Sequence, residues 1–166
     1  MFSGLFRESA TVIGTTVRLA LAIPCCLAIA GCSDVSEKCF PSLADREAQG
    51  MVARGWIPAG LPRSTKDVRV RWDIDTNAVR GRGQVPMGDV AALVGELAPL
   101  QDAATPPFWL RGLVTPSWWP DELRPPGSGA ELERKGWKLF TASPESRAYV
   151  ALRTASGELY FWIESA

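Results

Sequence analysis

Histidine is absent from the 166-residue chain, and with it the side chain best suited to proton transfer near neutral pH and to zinc binding. Ser-His-Asp and Cys-His catalytic arrangements are therefore excluded. Net charge is absent as well, because 18 basic residues balance 18 acidic ones, and a chain without a basic excess has little to attract nucleic acid. We expect no nucleic-acid partner, no bound metal and no cofactor.

Cysteine is lacking beyond the first quarter of the chain, where all four cysteines lie: Cys25, Cys26, Cys32 and Cys39. No disulfide can therefore staple the body of the fold internally, and the core must be held together by packing. Cys39 is expected to be an unpaired thiol that either is inert or pairs with another chain.

A hydrophobic run long enough to span a bilayer is lacking too. The apolar segment at residues 19–30 contains 12 residues, whereas a membrane span needs about 20. It follows Arg7 and Arg18, as the apolar core of a signal peptide does. The alternative is an uncleaved anchor that starts near Ala10, but this anchor would place Arg18 inside the membrane.

The residues Ile29-Ala30-Gly31-Cys32 resemble the bacterial lipobox, in which small residues precede the cysteine that becomes the first mature residue. The resemblance implies that residues 1–31 are a cleaved lipoprotein signal peptide. It also implies that Cys32 carries diacylglycerol in a thioether and an acyl chain such as palmitate on its amine, and such multiple chains anchor a protein stably. The alternative for Cys32 is a small buried thiol. Because Ser33 follows, similarity to enterobacterial sorting rules implies the outer membrane, facing the periplasm.

The mature chain shows two helical patterns after a segment at residues 32–41 that we interpret as a polar tether. Apolar residues recur at helical spacing over residues 42–54, with Ser42 as the expected N-cap and Gly55 just beyond the end. A second apolar stripe over residues 87–97 predicts another helix, which Pro99 closes.

Alternating patterns predict strands in two groups. Residues 68–74 and the residues after Asn77 are expected to form a hairpin, with Trp72 opposite Gly81 and Asp73 opposite Arg80. Residues 136–141, 147–154 and 158–164 complete the set, with Leu152 opposite Phe161. The prediction is one α+β domain over residues 42–166, with a single antiparallel sheet of about five strands and two helices packed on one face.

A proline-rich and tryptophan-rich segment at residues 106–129 predicts a long ordered loop, because it is too apolar for a linker and too rich in proline for regular structure. We interpret four indoles as candidate partner contacts: Trp109, Trp118 and Trp119 in the loop, and Trp162 on the last strand. The alternative is that these indoles only seal the core.

Carboxylates supply the only candidate catalytic groups, Asp73, Asp75 and Glu122. The simpler interpretation is that Asp73 balances Arg80 while Asp75 and Asn77 bond the turn backbone. No nucleophile accompanies these residues, and we assign no catalytic residue.

A motif in the first half of the mature chain carries a family resemblance. The residues Gly55-Trp56-Ile57-Pro58-Ala59-Gly60-Leu61-Pro62, with Ser64, Asp67 and Asp73-Ile74-Asp75-Thr76-Asn77, resemble the YbbD head domain over about residues 48–85. The chain departs from that pattern at Gly83, where an aromatic residue is expected. The resemblance implies no named catalysis, so no functional residues are carried over.

These observations favour a non-enzymatic, membrane-anchored lipoprotein of the cell envelope. We expect it to be a binding or accessory module whose partner is an envelope protein or a cell-wall component. Two alternatives stay open, an inhibitor or immunity-type lipoprotein and an enzyme that acts on envelope glycans through carboxylates.

Overall fold

A single antiparallel sheet organises the chain in a computed structural model that describes residues 34–100, 115–124, 128–142 and 147–164. In these residues the sheet has seven strands in the order β1-β2-β3-β7-β6-β5-β4. The strands are β1 Val35–Ser42, β2 Lys66–Asp73, β3 Ala78–Gln84, β4 Ala98–Pro99, β5 Trp137–Thr141, β6 Ala148–Arg153 and β7 Glu158–Ile163. The α-helices are α1 Arg46–Ala53, α2 Met87–Glu96 and α3 Gly129–Arg134, and Asp121–Leu123 forms a short 3₁₀ helix.

The two faces of the sheet are covered by different elements. Ala48 and Met51 of α1 and Val90 and Leu93 of α2 pack with alternate strand residues such as Phe161, and we call this side the helix face. The other side, the loop face, is covered by α3 and the segment at residues 115–124. The predicted α+β class with one antiparallel sheet is confirmed, but the strand number is seven instead of about five.

The predicted tether is wrong from Val35 onward, because that segment forms strand β1. Its backbone pairs with β2 from Val35 opposite Asp73 to Ser42 opposite Lys66, which satisfies peptide groups that a tether would leave to water. Phe40 is the one buried side chain of β1. An edge strand with so little apolar character shows no clear periodicity in the sequence.

Both predicted helices are present, and the first begins later than expected. Ser42 ends β1, and the side chain of Asp45 instead caps α1 by accepting hydrogen bonds from the backbone N–H groups of Glu47 and Ala48 at 2.8 and 3.4 Å. Gly55 follows the helix with a positive φ of 76°, a conformation that glycine adopts without strain. Helix α2 lies within its predicted bounds.

Both hairpins are shifted by two residues from the predicted registers. Val70 lies opposite Gly81, Arg71 opposite Arg80 and Asp73 opposite Ala78, and in the other hairpin Leu152 lies opposite Leu159. The predicted pairing of Asp73 with Arg80 is therefore wrong. Each connecting turn has four residues, and each ends on a residue with positive φ, at Asn77 and Gly157. A shift of two keeps every side chain on its predicted face.

Candidate binding groove

A groove of about 490 Å³ lies on the helix face, between α1 and strands β1 and β2. We call it the α1 groove. Its size is within the usual range for ligand sites. It is lined by one residue from each strand and by α1 with its flanking residues: Lys38, Trp72, Asp45, Arg46, Glu47, Gly50, Met51, Arg54 and Trp56.

The wall of the α1 groove contains a stacked tryptophan pair. The rings of Trp56 and Trp72 lie 5.0 Å apart at an interplanar angle of 24°, and the guanidinium of Arg54 lies 5.6 Å from the centre of the Trp56 ring. The positive φ of Gly55 turns the chain after α1, and the Trp56 N–H then donates to the Met51 carbonyl at 3.0 Å. These contacts give the groove a rigid, largely apolar wall.

The rim of the groove carries charges of both signs. Lys38 of β1 forms an ion pair with Glu47 of α1, and both side chains are exposed enough for solvent to weaken the pair. An incoming partner can exchange such a pair for its own charges at small cost. The α1 groove is therefore suited to a ligand with both an apolar part and polar groups.

Gly50 lines the α1 groove and has no side chain to fill it. A Cβ atom added at this position would meet nothing within 4 Å, so the groove is open above this turn of α1. A larger side chain would enter the open space without straining the helix, because Gly50 lies inside the helix range.

Strand β1 borders the groove and has β2 as its only neighbour among the described strands. The other edge of an outer strand presents unpaired N–H and C=O groups. A sheet edge beside a helix is a geometry that accepts an extended peptide as an added strand, with alternate side chains in the groove.

Three of the four predicted tryptophan contacts, Trp118, Trp119 and Trp162, lie on the opposite, loop face. Trp118 is half-buried, and the guanidinium groups of Arg69 and Arg82 lie 5.5 and 5.8 Å from its ring centre. Arg69 also forms an ion pair with Glu37 of β1. Trp118 thus belongs to a surface of paired arginine and aromatic groups and does not project freely.

Two of the four predicted contacts are wrong, because Trp119 and Trp162 are core residues with exposed fractions of 5% and 1%. The Trp119 ring meets Trp162 edge to face at 6.3 Å, and its indole N–H donates to the Leu123 carbonyl at 3.0 Å. The alternative, in which the indoles seal the core, holds for this pair. Trp109 lies outside the described residues.

Buried charge on the loop face is centred on Arg80, which is 6% exposed. Its guanidinium donates to the Thr115 hydroxyl at 2.9 Å and lies 5.5 Å from the Trp119 ring centre. Burial, together with the charges of Arg71 and Arg124, lowers the pKa of Arg80 to about 10. The side chain therefore stays charged at neutral pH and helps to hold the segment at residues 115–124 on the sheet.

The candidate catalytic carboxylates have structural contacts. Asp73 accepts a hydrogen bond from the Asp75 backbone N–H at 3.0 Å, and Glu122 pairs with Arg153 at 3.1 Å. The pKa of Asp75 is raised by the charge of Asp34, by burial and by Asp73. In the β2–β3 turn, the side chains of Asp73 and Thr76 accept hydrogen bonds from backbone N–H groups. The prediction had given this role to Asp75 and Asn77. No cluster able to hold a metal is found in the described ranges.

The family model of the YbbD head domain matches residues 34–82. The resemblance inferred from the Gly-Trp-Ile-Pro motif is thus confirmed, although the match begins further upstream, at the start of β1, and covers under a third of the chain. Every residue that lines the α1 groove lies within the matched segment. No curated protein and no solved structure matches the chain.

Sequence reasoning missed the α1 groove because its walls come from three separate elements. Trp56 stands in the motif that carried the family resemblance, and Trp72 was assigned to the buried face of its strand. Only folding brings them together. A signal for the groove was available in the sequence, because both tryptophans lie within the segment that resembles the family.

In the portion that the structure describes, no helix is long and apolar enough to cross a membrane.

Proposed function

We propose that this chain is a lipid-anchored, non-enzymatic binding module of the bacterial cell envelope. In this proposal an extended segment of an envelope protein adds to the β1 edge that faces away from β2, which has no partner strand among the described residues, and places its side chains in the α1 groove. The lipobox-like segment that ends at Cys32 supports the anchor. The observation that carries the binding role is the position of the α1 groove beside an edge of β1 that pairs with no other strand in the described ranges.

A peptide suits the groove better than a sugar does. Binding to a strand edge uses main-chain hydrogen bonds, and the pockets beside it select side chains. Sugar recognition needs an open aromatic face, whereas the Trp56 ring is already in contact with Trp72 and Arg54. The charges of both signs at the rim, on Lys38 and Glu47, match the mixed polarity of a peptide segment.

The binding role is tested by blocking the groove without weakening the fold. Gly50→Gln places a long side chain in the open groove, and Gly95→Gln is the matched control, because Gly95 is an exposed glycine of α2 with equally open space. Each change is expected to raise stability by about 0.5–1 kcal/mol through helix propensity. Only Gly50→Gln should abolish partner binding.

The readout is photocrosslinking in living cells. A crosslinking amino acid replaces Glu47 at the groove rim or, as a control, Glu133 on α3 beside the other sheet face. We expect a protein adduct from position 47 that disappears with Gly50→Gln and persists with Gly95→Gln. An adduct that forms equally from position 133, or that survives Gly50→Gln, would contradict the proposal.

The anchor is tested by a second matched pair, Cys32→Ala and Cys39→Ala. Cys39 is an exposed free thiol, so its removal should leave the protein acylated and in the membrane fraction. Cys32→Ala should lose both the acyl mass and the membrane association. Retention of Met1 with no acyl mass in the native protein would refute the lipid anchor.

A further inference from the structure

The folded domain begins almost directly after the proposed lipid attachment site. Only Ser33 separates Cys32 from Asp34, and two residues of chain span about 7 Å at most. Asp34 is already tied to the sheet, because its carbonyl accepts a hydrogen bond from the Ile74 N–H at 3.3 Å. Strand β1 starts at the next residue, paired with the end of β2. No length of chain is left to serve as a tether.

One end of the sheet therefore lies beside the anchor. We call it the anchor end. It contains Asp34, the β2–β3 turn at residues 74–77 and Ile163. Ile163 is the last residue of β7 and lies opposite Val79 of β3. The opposite end contains Lys66, Gln84 and Glu158, which are neighbours across three strands. Strand β1 has eight residues, so the two ends are about 23 Å apart at 3.3 Å per residue.

The anchor end carries an exposed apolar side chain at its tip. Ile74 is 56% exposed, and in the described part of the chain Met87 is the other large apolar side chain with comparable exposure, at 55%. Met87 begins α2, just after β3 ends, and so lies at the opposite end. An apolar side chain within reach of a lipid-bearing residue can enter the headgroup region.

The charge of the anchor end indicates which lipid surface it fits. Asp34, Asp73 and Asp75 lie close enough together for the charges of Asp34 and Asp73 to raise the pKa of the Asp75 carboxyl group. An acidic end is repelled by anionic headgroups and attracted by the ammonium groups of zwitterionic ones.

We propose that the anchor end rests directly on a zwitterionic lipid surface with Ile74 in the headgroup region, so that the domain is held in one orientation. This inference rests on the proposed acylation of Cys32. Lys38 lies three residues along β1 from Val35, so the α1 groove is about 10 Å from the anchor end. A partner segment must then run close to the membrane.

The test uses the native lipoprotein in phosphatidylcholine nanodiscs that contain a lipid with a gadolinium headgroup. We expect amide NMR signals at the anchor end, such as those of Ile74 and Asn77, to broaden severalfold more than those of Gln84 and Ser156. Insertion of about ten Gly and Ser residues after Ser33, a linker with a mean span of roughly 18 Å, should abolish this difference.

Paired variants test the contact of Ile74. Ile74→Ser should reduce the broadening at the anchor end, whereas Met87→Ser, which removes an equally exposed side chain at the other end, should leave it unchanged. Equal broadening at both ends would overturn the orientation.

Intact mass on the same sample separates the two proposals. Acylated protein with uniform broadening overturns the orientation and leaves the anchored module standing. Protein without an acyl mass overturns both.

Discussion

Replacement of Gly81 by alanine is expected to be among the most damaging single-carbon changes in this fold. Gly81 lies on β3 between Val70 of β2 and Phe161 of β7, and the Phe161 ring covers its Cα. An added Cβ would lie 2.0 Å from the Phe161 Cζ and 2.4 and 2.5 Å from the two Cε atoms. Phe161 is fully buried, so its ring cannot move into solvent to make room.

The magnitude follows from the depth of the overlap. Overpacking a dense core costs about 1–3 kcal/mol, and an approach of 2.0 Å is far inside any real Cβ contact, so we expect the upper end, about 3 kcal/mol. Replacing glycine in a strand returns about 0.5–1 kcal/mol of this. The net loss of about 2–2.5 kcal/mol should lower the melting temperature by roughly 10 °C for a domain of this size.

The assay is urea unfolding of the domain formed by residues 33–166, followed by tryptophan fluorescence, with a double-mutant cycle. Phe161→Leu alone should cost about 1–2 kcal/mol through the cavity that it leaves. Combined with Gly81→Ala, it should recover at least about 1 kcal/mol, because the smaller side chain makes room for the methyl group. Gly50→Ala is the control, with open space around the added atom, and it should stabilise the domain.

A Gly81→Ala variant as stable as the parent would refute the reasoning, as would additive effects of the two changes. Either result would mean that Gly81 and Phe161 are not in contact. The cycle thereby tests the observed register of β3 and β7, in which Gly81 lies opposite Phe161.

Three further outcomes are expected. Trp119→Ala should lower the free energy of unfolding by about 3–5 kcal/mol, because it removes a buried indole and the donor to a buried carbonyl. Trp118→Ala should lower it by less than half of that in the same urea assay, since Trp118 is only half-buried. Burial raises the pKa of both tyrosines of the chain. Their stabilising contribution is therefore complete below pH 10 and is lost as the pH rises through the raised pKa values. An ultraviolet titration in which a tyrosine ionises at or below pH 10 would contradict this prediction. Asp34→Asn should lower the raised pKa of Asp75. The contribution of Asp75 to stability is greatest below its ordinary pKa of 3.8 and declines as the pH rises. An unchanged Asp75 pKa in an NMR titration would show that the two carboxylates do not interact.

The alternation of apolar residues predicted which face of the sheet each strand residue occupies, but it did not predict the registers. Val70 and Phe161 lie on the face expected for them, because one buried face imposes a period of two along every strand. Registers depend on turn length, and a turn of two residues and one of four are equally compatible with the same alternation. Asn77 at positive φ marks the longer turn only once the backbone is known.

Edge strand β1 shows a second limit of sequence reasoning. Seven of its eight side chains remain at least partly exposed, so the segment has the composition of a linker. Its order comes from backbone pairing with β2, and backbone hydrogen bonds are independent of side-chain identity. The same limit applies to Trp119 and Trp162, because an aromatic residue in a loop or on a strand has the same sequence signature whether it is covered or not.

By itself, the amino-acid sequence determined the α+β class, the single antiparallel sheet, the two longer helices and the family resemblance of the first half of the domain. These follow from local periodicity, caps and motifs, which are properties of neighbouring residues. Tertiary structure decided the hairpin registers, the burial of Trp119 and Trp162, and the α1 groove. Each of these depends on residues distant in the chain that meet only when the sheet is assembled, and for that reason Trp56 and Trp72 form one wall in the fold and no pattern in the sequence.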